Sequence, residues 1–156
     1  MLDSCEYRRA ASAAAYLKKK IGTFRPAAAA VLGSGLGGYA KSRSVLAEFE
    51  IEYSEIPGFP VSTVPGHAGK FVFAVVQGVP AVLMQGRIHM YEGYSAADTV
   101  LPIRVMRLLG AENLILTNAA GGINRDFRPG DLMLIRDHIA QMVPSPLIGP
   151  NLDSLG

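Results

Sequence analysis

A glycine-rich stretch at residues 33–38 (GSGLGG) follows a short apolar run and could bind an anion. Glycines let several backbone N–H groups converge on an anion, and Ser34 adds a hydroxyl. The spacing also matches the dinucleotide fingerprint, which requires a helix next and an acid about 20 residues later. Because residues 39–44 are too short for that helix, the stretch favours a phosphate-binding loop over a dinucleotide site or a plain tight turn.

A second stretch, residues 85–93 (QGRIHMYEG), places Arg87, His89 and Tyr91 at alternate positions after an apolar run. In an extended chain these three side chains point to one side. Arginine offers a planar fork for an oxyanion, histidine a titratable group, and tyrosine a hydroxyl for a sugar. The alternation therefore favours a ligand site over an ordinary solvated strand end.

A third stretch, residues 118–122 (NAAGG), contains only small residues after an asparagine. At the carboxyl end of a strand, small residues let a planar ligand or a phosphate approach the backbone closely. The alternative is a tight connection without a ligand.

The histidines do not form a metal-binding pattern. His67 lies in a glycine-bounded loop and is either a surface residue or a ligand contact, and His138 beside Asp137 suggests a structural pair. The three histidines share no helical i, i+4 spacing, and the single cysteine, Cys5, has no base beside it. We therefore expect no metal site and an inert thiol.

Periodicity and turn residues predict an α/β fold whose loops lie at strand ends. A helix over residues 3–21 would bury Ala10, Ala14, Leu17 and Ile21, and a helix over 95–109 begins with a Ser95–Asp98 capping box and ends at Gly110. Pro102 suggests a kink or a later start in the second helix. The strand at 45–53 alternates between two faces. One face, which would be exposed to solvent, carries Glu48, Glu50 and Glu52. The other carries Val45, Ala47, Phe49, Ile51 and Tyr53. Strands are predicted at 27–32, 45–53, 71–76, 81–85, 113–117 and 131–135, those at 27–32 and 113–117 being buried.

Composition and charge narrow the possible classes of protein. The 156 residues carry 15 basic and 13 acidic side chains, a net charge of +2 that argues against nucleic-acid binding. The longest uncharged run, 71–86, is too short and too interrupted to span a bilayer. A single cysteine excludes an internal disulfide. We expect one domain over residues 1–156, located in the cytoplasm, with no nucleic-acid or membrane partner.

Taken together, the motifs resemble purine nucleoside phosphorylases of the trimeric, inosine- and guanosine-cleaving type. The resemblance covers nearly the whole chain and implies a phosphorylase-type mixed central β-sheet flanked by helices, incomplete at the carboxyl end. The matching stretches are VLGSGLGG at 31–38, EIPGFPVSTVPGHAGKFVF at 55–73, MQGRIHMYEGYS at 84–95, LTNAAGGIN at 116–124, GDLMLIRDHI at 130–139 and PLIGPN at 146–151.

The resemblance implies a phosphate site. Ser34 would bind phosphate through its hydroxyl and neighbouring N–H groups, and Arg87 would hold it with two hydrogen bonds. His89 would contact both phosphate and ribose, so Arg87 and His89 are the expected catalytic residues. His67 would lie near the phosphate, and Ala119 would donate its backbone N–H to it.

The resemblance also implies the substrate and the reaction. Tyr91 would hydrogen-bond a ribose hydroxyl, and Ala119, Ala120 and Gly121 would line the pocket for base and sugar. The family converts a purine nucleoside and inorganic phosphate to the free purine and ribose 1-phosphate. The resemblance implies no metal or organic cofactor, with inorganic phosphate as the co-substrate. A homo-oligomer, the trimer of the family, or a complementing carboxyl-terminal fragment is the expected protein partner.

The chain is shorter than the family's usual length, and the resemblance implies that this difference affects activity. The family places the groups that read the purine, a second phosphate-binding serine and a ribose-binding histidine in the part that these 156 residues lack. We therefore expect this chain alone to be unstable, self-associated or weakly active. The alternatives are an inactive phosphate-binding remnant, a methylthioadenosine phosphorylase and, more remotely, a nicotinamide-dependent oxidoreductase.

Overall fold

A mixed five-stranded sheet forms the centre of the chain in the computed structural model, which describes residues 5–62, 69–148 and 153. The strand order is β2-β3-β4-β1-β5, with β1 parallel to β4 and β5, and with β3 antiparallel to β2 and β4. This architecture confirms the predicted α/β class. The strands are β1 (Ala28–Leu32), β2 (Val45–Glu52), β3 (Lys70–Val76), β4 (Val79–Gln85) and β5 (Asn113–Leu116).

Two helices, α1 (Cys5–Ile21) and α2 (Ala96–Leu109), pack on one face of the sheet. The α1 face that becomes buried is the predicted one, with Ala13 added to it. α2 begins with the predicted capping box and continues through Pro102, so the possible later start is wrong. In the described ranges, neither α-helix has the length and apolarity that spanning a bilayer requires.

Ion pairs tie the two helices together at the edge of their apolar contact. Arg9 of α1 donates to Asp98 of α2 at 2.8 Å, and Arg104 of α2 bonds to Glu6 of α1. Asp98 also accepts from the backbone N–H of Ser95 at 3.1 Å, so one carboxylate both caps α2 and anchors α1. The helix pair therefore depends on the charge state of Asp98.

We expect Asp98→Asn to lower the free energy of unfolding by about 1 kcal/mol at pH 7. Burial alone would raise the pKa of Asp98, but hydrogen bonds from Ser95 and Arg9 hold that pKa below its ordinary value of 3.8. A lowered pKa gives stability that is present above the ordinary value and is lost as the pH falls through the folded-state value. Urea unfolding from pH 7 down to pH 3 should therefore show the two proteins converging at the acidic end. A difference that stays constant over this range would contradict the assignment.

The alternation predicted for β2 is only half correct, because the strand contains a bulge. The pairing of β2 with β3 shifts register between Ala47 and Phe49, so Glu48 is an extra residue. A one-residue shift moves the following side chains to the opposite face. Ile51 consequently packs against the helices, whereas Val45 belongs to the apolar cluster on the other face.

Two predictions for the carboxyl-terminal part are wrong. Residues 131–135 form no strand, and Leu132 and Leu134 are 99% and 91% exposed. β5 is a strand but not a buried one, since its four residues are all exposed. The physical reason is the same in both places: β5 is an edge strand of the sheet, and within the described ranges nothing pairs with its outer side.

Candidate functional site

The candidate site lies where three neighbouring parallel strands end. In the register of the sheet, Leu32 of β1 stands opposite Gln85 of β4, and Val31 stands opposite Leu116 of β5. The loops that follow β1, β4 and β5 therefore leave the sheet at one edge. Because neighbouring strands lie about 4.8 Å apart, the three loops start within about 10 Å of one another. Ligands bind at such an edge in open α/β sheets.

The start of the glycine loop, residues 33–38, is fixed to the end of β5. The Gly33 N–H donates to the Thr117 hydroxyl at 2.8 Å, and that hydroxyl donates to the Val31 carbonyl at 2.8 Å. A Cβ on Gly33 would lie 2.3 Å from the Thr117 carbonyl oxygen, so this position has room only for glycine. The glycine loop and the loop after β5 thus touch through their backbones.

The far end of the glycine loop is fixed to β4. The Gln85 side-chain amide donates to the Gly37 carbonyl at 2.8 Å, at the start of a short 3₁₀ helix, Gly37–Lys41. Between the two anchors, Gly35 adopts a positive φ of 83°, a conformation suited to glycine. Ser34 is exposed, and its hydroxyl bonds to no residue in the described part of the chain. The loop is therefore held at both ends with a serine hydroxyl presented between them.

Arg87 and His89 form a hydrogen-bonded pair after β4. The Arg87 Nε donates to His89 Nε2 at 3.2 Å, and His89 Nδ1 lies 3.0 Å from a Glu92 carboxylate oxygen. Since a guanidinium can only donate, the pattern assigns the lone pair to Nε2 and the proton to Nδ1. Glu92 thus selects the tautomer of His89, and His89 orients the Arg87 cation.

Glu92 belongs to the candidate site, although the sequence did not predict it. Its side chain is 2% exposed and accepts from the His89 backbone N–H at 3.0 Å and from the Ser62 hydroxyl at 3.0 Å. The signal in the sequence was the His-x-x-Glu spacing, which here forms a capping box around the 3₁₀ helix Met90–Glu92. No local signal identifies Ser62, because it lies 30 residues away in the chain.

Tyr91 does not follow Arg87 and His89 in the extended alternation that was predicted. The chain turns into the 3₁₀ helix Met90–Glu92, so an extended geometry ends at His89. Tyr91 instead stacks on His89, with ring centroids 4.6 Å apart and an angle of 18° between the planes. Tyr91 is 75% exposed, so it covers the histidine from the solvent side.

The loop after β5 brings Ala119, Ala120 and Gly121 to the same edge of the sheet, all of them exposed. A Cβ on Gly121 would meet open space, so this loop leaves room beside the backbone. His67, by contrast, lies outside the described residues, and its predicted place near the phosphate stays a prediction.

The remaining histidine, His138, is exposed, and its backbone N–H donates to Asp137 at 2.8 Å. Across the described ranges, no group of three or more His, Cys, Asp or Glu side chains is placed to hold a metal ion.

Comparisons with known proteins identify the family of this chain. The sequence profile of the phosphorylase superfamily matches residues 28–154. The chain is 54% identical over 144 residues to purine nucleoside phosphorylase 1 of Geobacillus stearothermophilus, covering 92% of this chain and 52% of that protein. It is 53% identical over 135 residues to purine nucleoside phosphorylase of Bos taurus, covering 85% and 46%.

A solved structure gives the same result. The fold superposes with a TM-score of 0.70 and 41% identity on a schistosoma purine nucleoside phosphorylase in complex with hypoxanthine, covering 80% of this chain and 42% of that one. The chain spans about half the length of the curated relatives that it matches. On the profile match, the identities and the shared fold, the chain belongs to the phosphorylase superfamily.

Proposed function

We propose that this chain supplies the phosphate and ribose side of a purine nucleoside phosphorylase that cleaves inosine and guanosine. The observation that carries the proposal is the meeting of three loops, each with anion- or sugar-binding groups, at one edge of the sheet. In the proposed reaction a phosphate oxygen forms a bond to C1′ of the ribose while the bond from C1′ to the purine breaks. The electron pair leaves with the purine, which takes up a proton, and ribose 1-phosphate is the second product.

The phosphate would lie against the glycine loop. The Ser34 hydroxyl, the backbone of Ala119 and the Arg87 guanidinium supply donors and positive charge there. Fixed donors stabilise an anion without reorganisation, because the loop is already anchored by Thr117 and Gln85. Held beneath the sugar, the anion stabilises positive charge that develops at C1′ and is oriented for attack.

The ribose would be held by His89 and Tyr91. Glu92 holds His89 through one hydrogen bond to the ring Nδ1 and one from the backbone N–H, and Tyr91 stacks on the ring. Arg87, His89 and Glu92 thus act as one unit whose geometry is set before a ligand arrives. We also propose that inorganic phosphate is the co-substrate and that no metal or organic cofactor takes part.

The leaving-group side of the site would come from polypeptide equivalent to the rest of the relatives' length. Leu114, Ile115 and Leu116 of β5 are 43%, 58% and 65% exposed, and a groove of about 230 Å³ opens between α2 and β5. Exposed strand edges and apolar faces are surfaces that proteins cover. We therefore propose that a carboxyl-terminal half-domain packs on β5. From the resemblance to the trimeric family, we also propose that the assembled protein is a cytoplasmic homo-oligomer.

We expect phosphate-dependent release of hypoxanthine from inosine when the chain is refolded with the carboxyl-terminal half of the Geobacillus stearothermophilus relative. The chain alone should release much less, because the leaving-group side is absent from the site described here. Release is followed by xanthine oxidase coupling, with and without phosphate. Phosphate binding without release in the assembled protein would favour the alternative of a non-catalytic phosphate-binding remnant.

A further inference from the structure

Gln85 is a buried polar residue at the end of β4 with only half of its amide satisfied. The residue is 7% exposed. Among the described residues, Gln85 is the one polar or charged residue that is buried. Its Nε2 donates to the Gly37 carbonyl at 2.8 Å. Its Oε1 is enclosed and bonds to no described residue. The orientation of the amide is fixed, because only the N–H side can face a carbonyl oxygen.

This arrangement is unfavourable for stability taken by itself. A buried acceptor without a partner loses its hydration and gains nothing in return. An apolar side chain of similar length at this position would avoid that penalty. We therefore attribute the presence of the amide to its contact with the glycine loop rather than to the stability of the core.

We propose that Gln85 is a positioning residue for phosphate binding. Its hydrogen bond to Gly37 holds the end of the glycine loop against the sheet, while Thr117 holds the beginning at Gly33. Ser34 and Gly35 lie between these two anchors. Without the Gln85 anchor, the loop would have to be ordered by the anion itself, and the apparent affinity for phosphate would fall. This inference rests on the proposed function, because it assumes that the loop binds phosphate.

The test compares phosphate affinity with stability in Gln85→Met. Methionine keeps the length of the side chain and removes both polar atoms. We expect the dissociation constant for inorganic phosphate, measured by titration calorimetry on the full chain, to rise about tenfold, the order expected for one lost hydrogen bond. The melting temperature without phosphate should be equal to that of the unmodified chain or higher, because the unpaired acceptor is gone. A residue needed only for the fold would instead lower the melting temperature.

Two further proteins complete the experiment. Gln85→Glu keeps the shape but replaces the donor with a carboxylate facing the Gly37 carbonyl, so phosphate affinity should fall further. Gln141→Met changes an exposed glutamine in the same way and should leave affinity unchanged. Unaltered phosphate affinity in Gln85→Met, beside a binding unmodified chain, would overturn the inference alone. Failure of the unmodified chain to bind phosphate would overturn the proposed function and the inference with it.

Discussion

Replacing Arg87 with methionine is expected to weaken the binding of inorganic phosphate about 100-fold. Within the described residues, the guanidinium supplies positive charge to the candidate site, and its Nε donates a hydrogen bond to His89 at 3.2 Å. Methionine has a similar aliphatic length but removes the charge and every donor. The loss is large because the bound phosphate would no longer have the guanidinium as a partner for its negative charge.

The control for this change is Arg8→Met, which removes the same charge from an exposed position on α1. Titration calorimetry at constant ionic strength should give that variant the affinity of the unmodified chain. Arg87→Lys keeps a cation but loses the Nε donor to His89, so its affinity should lie between the other two. Equal phosphate affinity in Arg87→Met and Arg8→Met would remove Arg87 from the site.

Gly33→Ala is expected to lower the free energy of unfolding by about 3 kcal/mol. The new methyl group would lie 2.3 Å from the Thr117 carbonyl oxygen and 2.9 Å from the Asn118 Cα. Both are backbone atoms, so relief requires the glycine loop and the end of β5 to move apart. That movement would also break the hydrogen bond from Gly33 to the Thr117 hydroxyl. Phosphate binding should fall together with stability.

The matched control is Gly38→Ala in the same loop, where an added Cβ meets nothing within 4 Å. Urea unfolding followed by circular dichroism should place this variant within about 1 kcal/mol of the unmodified chain. If both alanine variants unfold at the same urea concentration, the close contact between the two loops does not exist in solution.

The elements that could be predicted from sequence are those whose signals are local. The buried face of α1 follows from helical periodicity, and α2 begins and ends at the residues that cap it. Strands β1, β3 and β4 lie within two residues of their predicted limits, because turn residues bound their apolar runs. In each of these elements the sequence pattern and the final environment agree.

The predictions that failed depend on neighbours far away in the chain. The bulge in β2 is a property of its pairing with β3, so alternation in β2 alone could not reveal it. Residues 131–135 have a strand-like pattern but no partner strand in the described ranges, and a strand without a partner leaves its backbone unsatisfied. β5 has a buried-strand composition, yet its burial requires an element on its outer side.

The candidate site also contains residues that local sequence predicts and residues that it does not predict. Loops containing Ser34, Arg87 and Ala119 could be found by composition, because glycine and small residues after strands mark places where ligands approach. Thr117, Gln85 and Glu92 could not, because each acts through a contact formed by the fold. Their hydrogen bonds reach Gly33, Gly37 and Ser62, residues 84, 48 and 30 positions away in sequence.

Identification of the sugar product tests whether this chain contributes to phosphorolysis. The assembled protein, made from this chain and the carboxyl-terminal half of the Geobacillus stearothermophilus relative, is incubated with inosine and phosphate, and the sugar is identified by phosphorus NMR. We predict a ribose 1-phosphate signal that grows in equal amount with hypoxanthine and disappears in Arg87→Met. Free ribose without consumption of phosphate, or an assembled and folded protein that forms no product, would contradict a role of this chain in phosphorolysis.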